Sequence, residues 1–111
     1  MIANPNAPAR GILGLFPELL GVGGIQEASR LTAAALVEIA SRHGMSTDFL
    51  SLNDPPGKQA FPSHLGEISF RGFGRAKLPF ALAALELARK PTRIVLAGHP
   101  YLAAPAVQTK L

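Results

Sequence analysis

Cysteine is absent from the 111-residue chain, and so is tryptophan. Without thiols there is no disulfide scaffold, no cysteine-ligated zinc or iron–sulfur site and no thiol nucleophile, and a reducing or redox-indifferent compartment suits the chain. Aromatic residues make up 6% and charged residues 16% of the sequence, against 48% apolar residues, so the composition excludes whole-chain disorder. Long apolar runs are missing too. The segment from Ile12 to Val22 is broken by Pro17 and Glu18, and nothing approaches the roughly 20 uninterrupted apolar residues of a membrane span. Residues 1–11 are rich in Asn, Pro and Ala and lack a cationic start followed by an apolar stretch, so they read as a loose leader rather than a signal peptide. The expectation is a cytoplasmic chain, with peripheral contact at a membrane surface left open.

Eleven basic residues against seven acidic ones give a net charge of +4. The excess gathers in Arg71, Arg75, Lys77, Arg89, Lys90 and Arg93, opposed in that stretch only by Glu86. A patch of this kind attracts anionic lipid or phosphorylated molecules, or serves simply as a solvated face. No Lys/Arg run is interleaved with aromatics and no nucleic-acid motif is present, so no nucleic-acid partner is expected.

What is present alternates between two periods. Gly11 to Phe16 is a short apolar run ended by Pro17, a buried strand followed by a loop. That loop carries Gly21, Gly23 and Gly24 and leads into a stretch with apolar residues at Ile25, Ala28, Leu31, Ala35, Leu36, Ile39 and Ala40. The spacing predicts an amphipathic helix stopped at His43-Gly44. Ser46 to Leu52 reads as a second strand, with turn chemistry in Asn53-Asp54-Pro55-Pro56-Gly57. The Pro-containing segment up to Gly66 reads as loop, and Glu67 to Phe70 as a third strand running antiparallel at a sheet edge. Leu78 to Arg89 predicts a second helix, apolar on nearly every side and therefore buried on more than one face. Arg93 to Ala97 is a continuous aliphatic run of the kind found in inner parallel strands, and Ala103 to Leu111 begins something helical. The order predicts an α/β, Rossmann-like domain over residues 12–111: a mainly parallel sheet of about four strands with flanking helices, the first and last strands adjacent. Ligands then belong at the carboxyl ends of the strands, where the Gly21–Gly24 and Gly98–Pro100 loops fall.

Two features could carry chemistry there. Glycines at a strand-to-helix junction let backbone N–H groups approach a phosphate, although here Gln26 stands where a dinucleotide fingerprint needs its last glycine, and no P-loop Gly-Lys-Ser/Thr is present. Taken alone, the loop reads as an anion cradle or as a plain turn. His99 follows the last strand, as a structural group or as a site residue; His43 and His64 read as loop residues, and the three lack zinc spacing, so no metal site is expected. Glu18 lies in the same ligand-facing loop and could bind a hydroxyl or stay solvated. No G-x-S-x-G elbow supports serine hydrolase chemistry.

Ile12-Leu13-Gly14-Leu15-Phe16-Pro17-Glu18, Gly23-Gly24-Ile25-Gln26, Leu50-Ser51-Leu52-Asn53-Asp54, Arg71-Gly72-Phe73-Gly74-Arg75-Ala76-Lys77 and Ile94-Val95-Leu96-Ala97-Gly98-His99 occur in this order. Together they resemble the amino-terminal domain of family-4 glycosyltransferases. That family has the GT-B architecture: two Rossmann-like domains face each other across a cleft and move a sugar from a nucleotide-sugar donor to an acceptor with retention of configuration. The resemblance implies that this chain holds the acceptor. It also implies that Gly23, Gly24 and Gln26 lie on the loop facing the donor diphosphate, and that His99 assists as the catalytic-site residue beside the transferred sugar. No cofactor is implied.

The family's paired glutamates belong to the carboxy-terminal domain and have no counterpart among Glu18, Glu27, Glu38, Glu67 and Glu86. The expectation is therefore a truncated domain, incomplete at its C-terminus and inactive in transfer without a donor domain. Its partners would be a nucleotide-sugar donor, a sugar, lipid-linked or other acceptor, and a separate donor-domain chain or a second copy of itself. The alternative is a non-catalytic α/β module binding a phosphorylated ligand or a partner chain.

Overall fold

A computed structural model of the chain describes residues 10–90 and 93–98. Five strands and two helices follow in the order β1 (Gly11–Phe16), α1 (Gly24–Arg42), β2 (Ser46–Ser51), β3 (Gly57–Ser63), β4 (Gly66–Gly72), α2 (Lys77–Ala88) and β5 (Arg93–Ala97). The strands form one sheet in the order β3-β4-β2-β1-β5. β1 runs parallel to both β2 and β5, β2 runs parallel to β4, and only β3 is antiparallel. The domain is mixed α/β, with a mostly parallel sheet compatible with a Rossmann-like fold.

Side-chain alternation along β1 builds two cores. Ile12 and Phe16 face α1, where they join Leu36, Ala40, Phe49 and Phe70; Leu13 and Leu15 face α2, where they join Leu50, Phe73, Phe80 and Ala84. The helices thus cover opposite faces. Right-handed crossovers produce this arrangement when one connection runs from β1 to β2 and the next runs back across the sheet from β4 to β5. Both faces of β1 are buried, which is why its sequence is an uninterrupted apolar run rather than an alternating one.

Four expectations are corrected. The segment read as loop before Gly66 contains β3, which pairs with β4 from Gly57↔Gly72 to Ser63↔Gly66. Pro62 is compatible with a strand here because β3 lies at the edge of the sheet. β4, expected to be antiparallel at an edge, is instead parallel to β2 and interior, because β3 takes the edge position. α2 is buried on one face only: Phe80, Ala84 and Ala88 point inward, while Leu78 is 69% and Leu82 57% exposed. β5, expected to be central, is the last strand of the sheet among the described residues, with Ile94 49% and Leu96 42% exposed.

α1 also turns differently from the pattern. Its buried residues are Ser29, Ala33, Ala34, Leu36 and Ala40, whereas Ile25, Leu31 and Ile39 are exposed. Small alanines set the helix close to the sheet; Leu36 joins that contact, and Ile25, Leu31 and Ile39 lie outside it. Its end falls where expected, with the N–H groups of His43 and Met45 both donating to the carbonyl of Ala40 around Gly44.

Candidate functional site at the carboxyl edge of the sheet

The loop from Pro17 to Gly23 leaves β1 and enters α1 at the carboxyl edge of the parallel strands. Three groups hold it. From beneath, the buried carboxylate of Asp54 accepts the N–H of Leu19 at 2.6 Å and of Leu20 at 3.0 Å, and also accepts the hydroxyl of Ser51. From the helix, Arg30 donates to the carbonyls of Leu19 at 2.7 Å and Gly21 at 2.9 Å. Across the loop, the amide of Gln26 donates to the carboxylate of Glu18.

The loop following β2 is tied to its neighbours in the same way. Leu52 and Asn53 donate backbone N–H groups to the carbonyls of Phe16 and Pro17, and Gly74 and Arg75 donate theirs to Asp54 and Leu52. The latter bonds are 2.7 and 2.6 Å long, and Arg75 adopts a left-handed φ of 70° to make its own. Loops 17–23, 52–56 and 73–76 therefore form one connected shelf above the strand ends.

α1 begins on this shelf without a side-chain cap. Gly23 occupies the N-cap position with φ 148°, and the first helical bond is Glu27 N–H to Gly23 carbonyl at 3.0 Å. The N–H groups of Gly24, Ile25 and Gln26 precede that bond and carry the positive end of the helix dipole. The loop has one filled side and one open side. A Cβ on Gly23 would stand 2.5 Å from the Gln26 side-chain oxygen, and one on Gly21 would stand 3.3 Å from a Glu18 carboxylate oxygen. At Gly24 a Cβ would meet nothing within 4 Å. Beside this first turn lies a cavity of about 210 Å³ lined by Phe16, Ile25, Ala28, Ser29, Thr32 and Gly98. It joins α1 to the ends of β1 and β5.

Gly23, Gly24 and Gln26 thus come together, and Glu18 joins them through Gln26. His99 lies outside the described residues. The sequence gives no site role to Asp54, Ser51 or Arg30: Ser51 and Asp54 stand only in the Leu50-to-Asp54 motif, Asp54 also in an Asn-Asp-Pro-Pro turn, and the bond from Leu19 to Asp54 spans 35 residues. Among the described residues no three His, Asp or Glu side chains converge as metal ligands, and no helix is long and apolar enough to cross a membrane.

No family model, curated protein or solved structure matches the chain.

Proposed function

We propose that the chain is the acceptor-side, Rossmann-like domain of a retaining family-4 glycosyltransferase of the GT-B type, handling a nucleotide-sugar donor together with a donor-binding domain. The observation that carries this reading is the uncapped first turn of α1, open at Gly24 and held at the carboxyl edge by Asp54 and Arg30. A diphosphate approaching Gly24 meets backbone donors and no side chain, the chemistry that helix N-termini offer to anions. Glu18, oriented by Gln26, is placed to accept sugar hydroxyls on the adjacent side of the loop. By the resemblance, His99, which follows Gly98, assists the transferred sugar. Sugar transfer requires the base- and ribose-binding half, from the same polypeptide or a separate one.

The half-exposed Ile94 and Leu96 on the last described strand favour a second reading, in which the domain docks a partner chain without catalysing transfer. An NMR titration of the ¹⁵N-labelled chain with a uridine diphosphate sugar tests the first. The backbone amides of Gly23, Gly24, Ile25 and Gln26 are expected to shift, pyrophosphate is expected to reproduce the shifts, and Gly24→Asp is expected to abolish them. Unmoved amides in this turn, with both ligands, would overturn the assignment.

A further inference from the structure

A second cavity lies away from the strand-end shelf. β2 and β4 pair only through Leu50↔Arg71 and Ser51↔Gly72. Below that point there is no ladder between the β2 edge at Thr47 to Phe49 and the β4 edge at Ile68 to Phe70. A crevice of about 530 Å³ opens between them, roofed on one side by α2. Small-molecule sites commonly fall between roughly 300 and 1,000 Å³.

Its charged lining is arranged in two walls. Lys58 of β3 and Arg71 of β4 are directly opposed in the antiparallel register, and both line the crevice. Like charges placed opposite each other destabilise a sheet, so this pairing is unfavourable in the unliganded protein. Arg71 is held with its guanidinium 5.0 Å from the centroid of the Phe73 ring. Facing Lys58 and Arg71 are Asp48 of β2 and Glu86 of α2, and Ser69 lines the crevice from β4, the strand that carries Arg71. An anion between Lys58 and Arg71 relieves their repulsion and gains charge-assisted hydrogen bonds. The Glu86 carboxylate accepts hydroxyl groups.

The geometry points to a second ligand site in this crevice: a small phosphorylated polyol binds with its phosphate between Lys58 and Arg71 and its hydroxyls toward Glu86. The site is independent of the reading made for the strand-end loop. It also sets Arg71 apart from the rest of the positive patch, since Arg75 and Lys77 do not line the crevice.

The test is calorimetry and thermal shift on the whole chain with glucose 6-phosphate, inorganic phosphate and glucose at matched ionic strength. Glucose 6-phosphate is expected to bind saturably, inorganic phosphate more weakly, and glucose not at all. Lys58→Ala and Arg71→Ala are each expected to weaken glucose 6-phosphate about tenfold, and Glu86→Gln by a smaller factor. Arg75→Ala, Lys77→Ala and Gly24→Asp are expected to leave its affinity unchanged. Lys58→Glu is expected to abolish binding while raising the unliganded Tm by roughly 2–4 °C, because it replaces a like-charge pair with an opposite one. Absence of saturable binding, or wild-type affinity in both Lys58→Ala and Arg71→Ala, would overturn the proposal. Loss of binding in Gly24→Asp with wild-type affinity in Lys58→Ala would move the phosphate to the strand-end loop, sinking this site and leaving the glycosyltransferase reading intact.

Discussion

The carboxylate of Asp54 and the backbone N–H of Leu19 form a buried hydrogen bond of 2.6 Å between two loops that are 35 residues apart in sequence. It fixes the start of the glycine loop to the loop following β2. Without it, the N–H groups of Leu19 and Leu20 and the hydroxyl of Ser51 lose their shared acceptor.

Asp54→Ala is expected to lower stability by about 3 kcal/mol, since buried donors to a charged acceptor are left without a partner. Chemical denaturation with m unchanged checks it. Asp54→Asn retains one acceptor oxygen but turns an NH₂ group toward donors, so it should recover less than half of the loss. A shift under 1 kcal/mol in both variants would mean that the loop finds other acceptors.

Gly72 meets the same loop from the other side. A Cβ at this position would lie 2.1 Å from the Pro55 carbonyl oxygen and 2.9 Å from that of Asp54. Backbone atoms, unlike the end of a long side chain, cannot rotate away, so Gly72→Ala must displace the 54–55 segment. The expected loss is about 3 kcal/mol, at the upper end of overpacking effects. Hydrogen exchange should show it locally, with the N–H groups of Gly74 and Arg75, bonded to Asp54 and Leu52, losing protection before those of α1.

On the second helix, Phe80 is buried in an edge-to-face contact with Phe73, ring centroids 5.5 Å apart, whereas Leu82 is exposed. Phe80→Ala is expected to cost about 3–4 kcal/mol, and Leu82→Lys to stay within about 0.5 kcal/mol. Comparable losses in both would restore the expectation of a helix covered on two sides.

That expectation failed for a physical reason. Periodicity reports a face only where polar residues mark the other one, and Leu, Ala and Phe occupy almost every position from Leu78 to Ala88. The buried stripe, Phe80-Ala84-Ala88, is small enough to be outweighed by the exposed leucines in any apolar count. β3 was hidden for a related reason. Phe61 is its one buried hydrophobic side chain, so alternation had almost nothing to register, and Pro62 suggested a break. By contrast β1, α1 and β5 were readable because an uninterrupted apolar run, a glycine stop and the four aliphatic residues Ile94 to Ala97 are local signals. At the site, Gly23, Gly24 and Gln26 were visible as a strand-to-helix junction, but the clamp by Asp54 and Arg30 depends on tertiary proximity. No spacing rule links residue 54 to residue 19.

The open side of the glycine loop yields the sharpest separation of folding from function. A methyl at Gly24 would meet nothing within 4 Å, and Gly24 is the first residue of α1. Gly24→Ala should therefore stabilise the free protein by about 0.5 kcal/mol, through lower unfolded-state entropy and better helix propensity. Gly23→Ala is the opposite case: φ is 148°, and the new Cβ would stand 2.5 Å from the Gln26 oxygen, displacing the side chain that orients Glu18. It should destabilise the protein and disturb the loop together. If a diphosphate approaches through the first turn, the Gly24→Ala methyl lies in its path, and the affinity of the chain for a uridine diphosphate sugar should fall about tenfold while Tm rises. A rise in Tm with unchanged affinity would show that the ligand does not approach from this side, and that the openness of Gly24 serves only the turn.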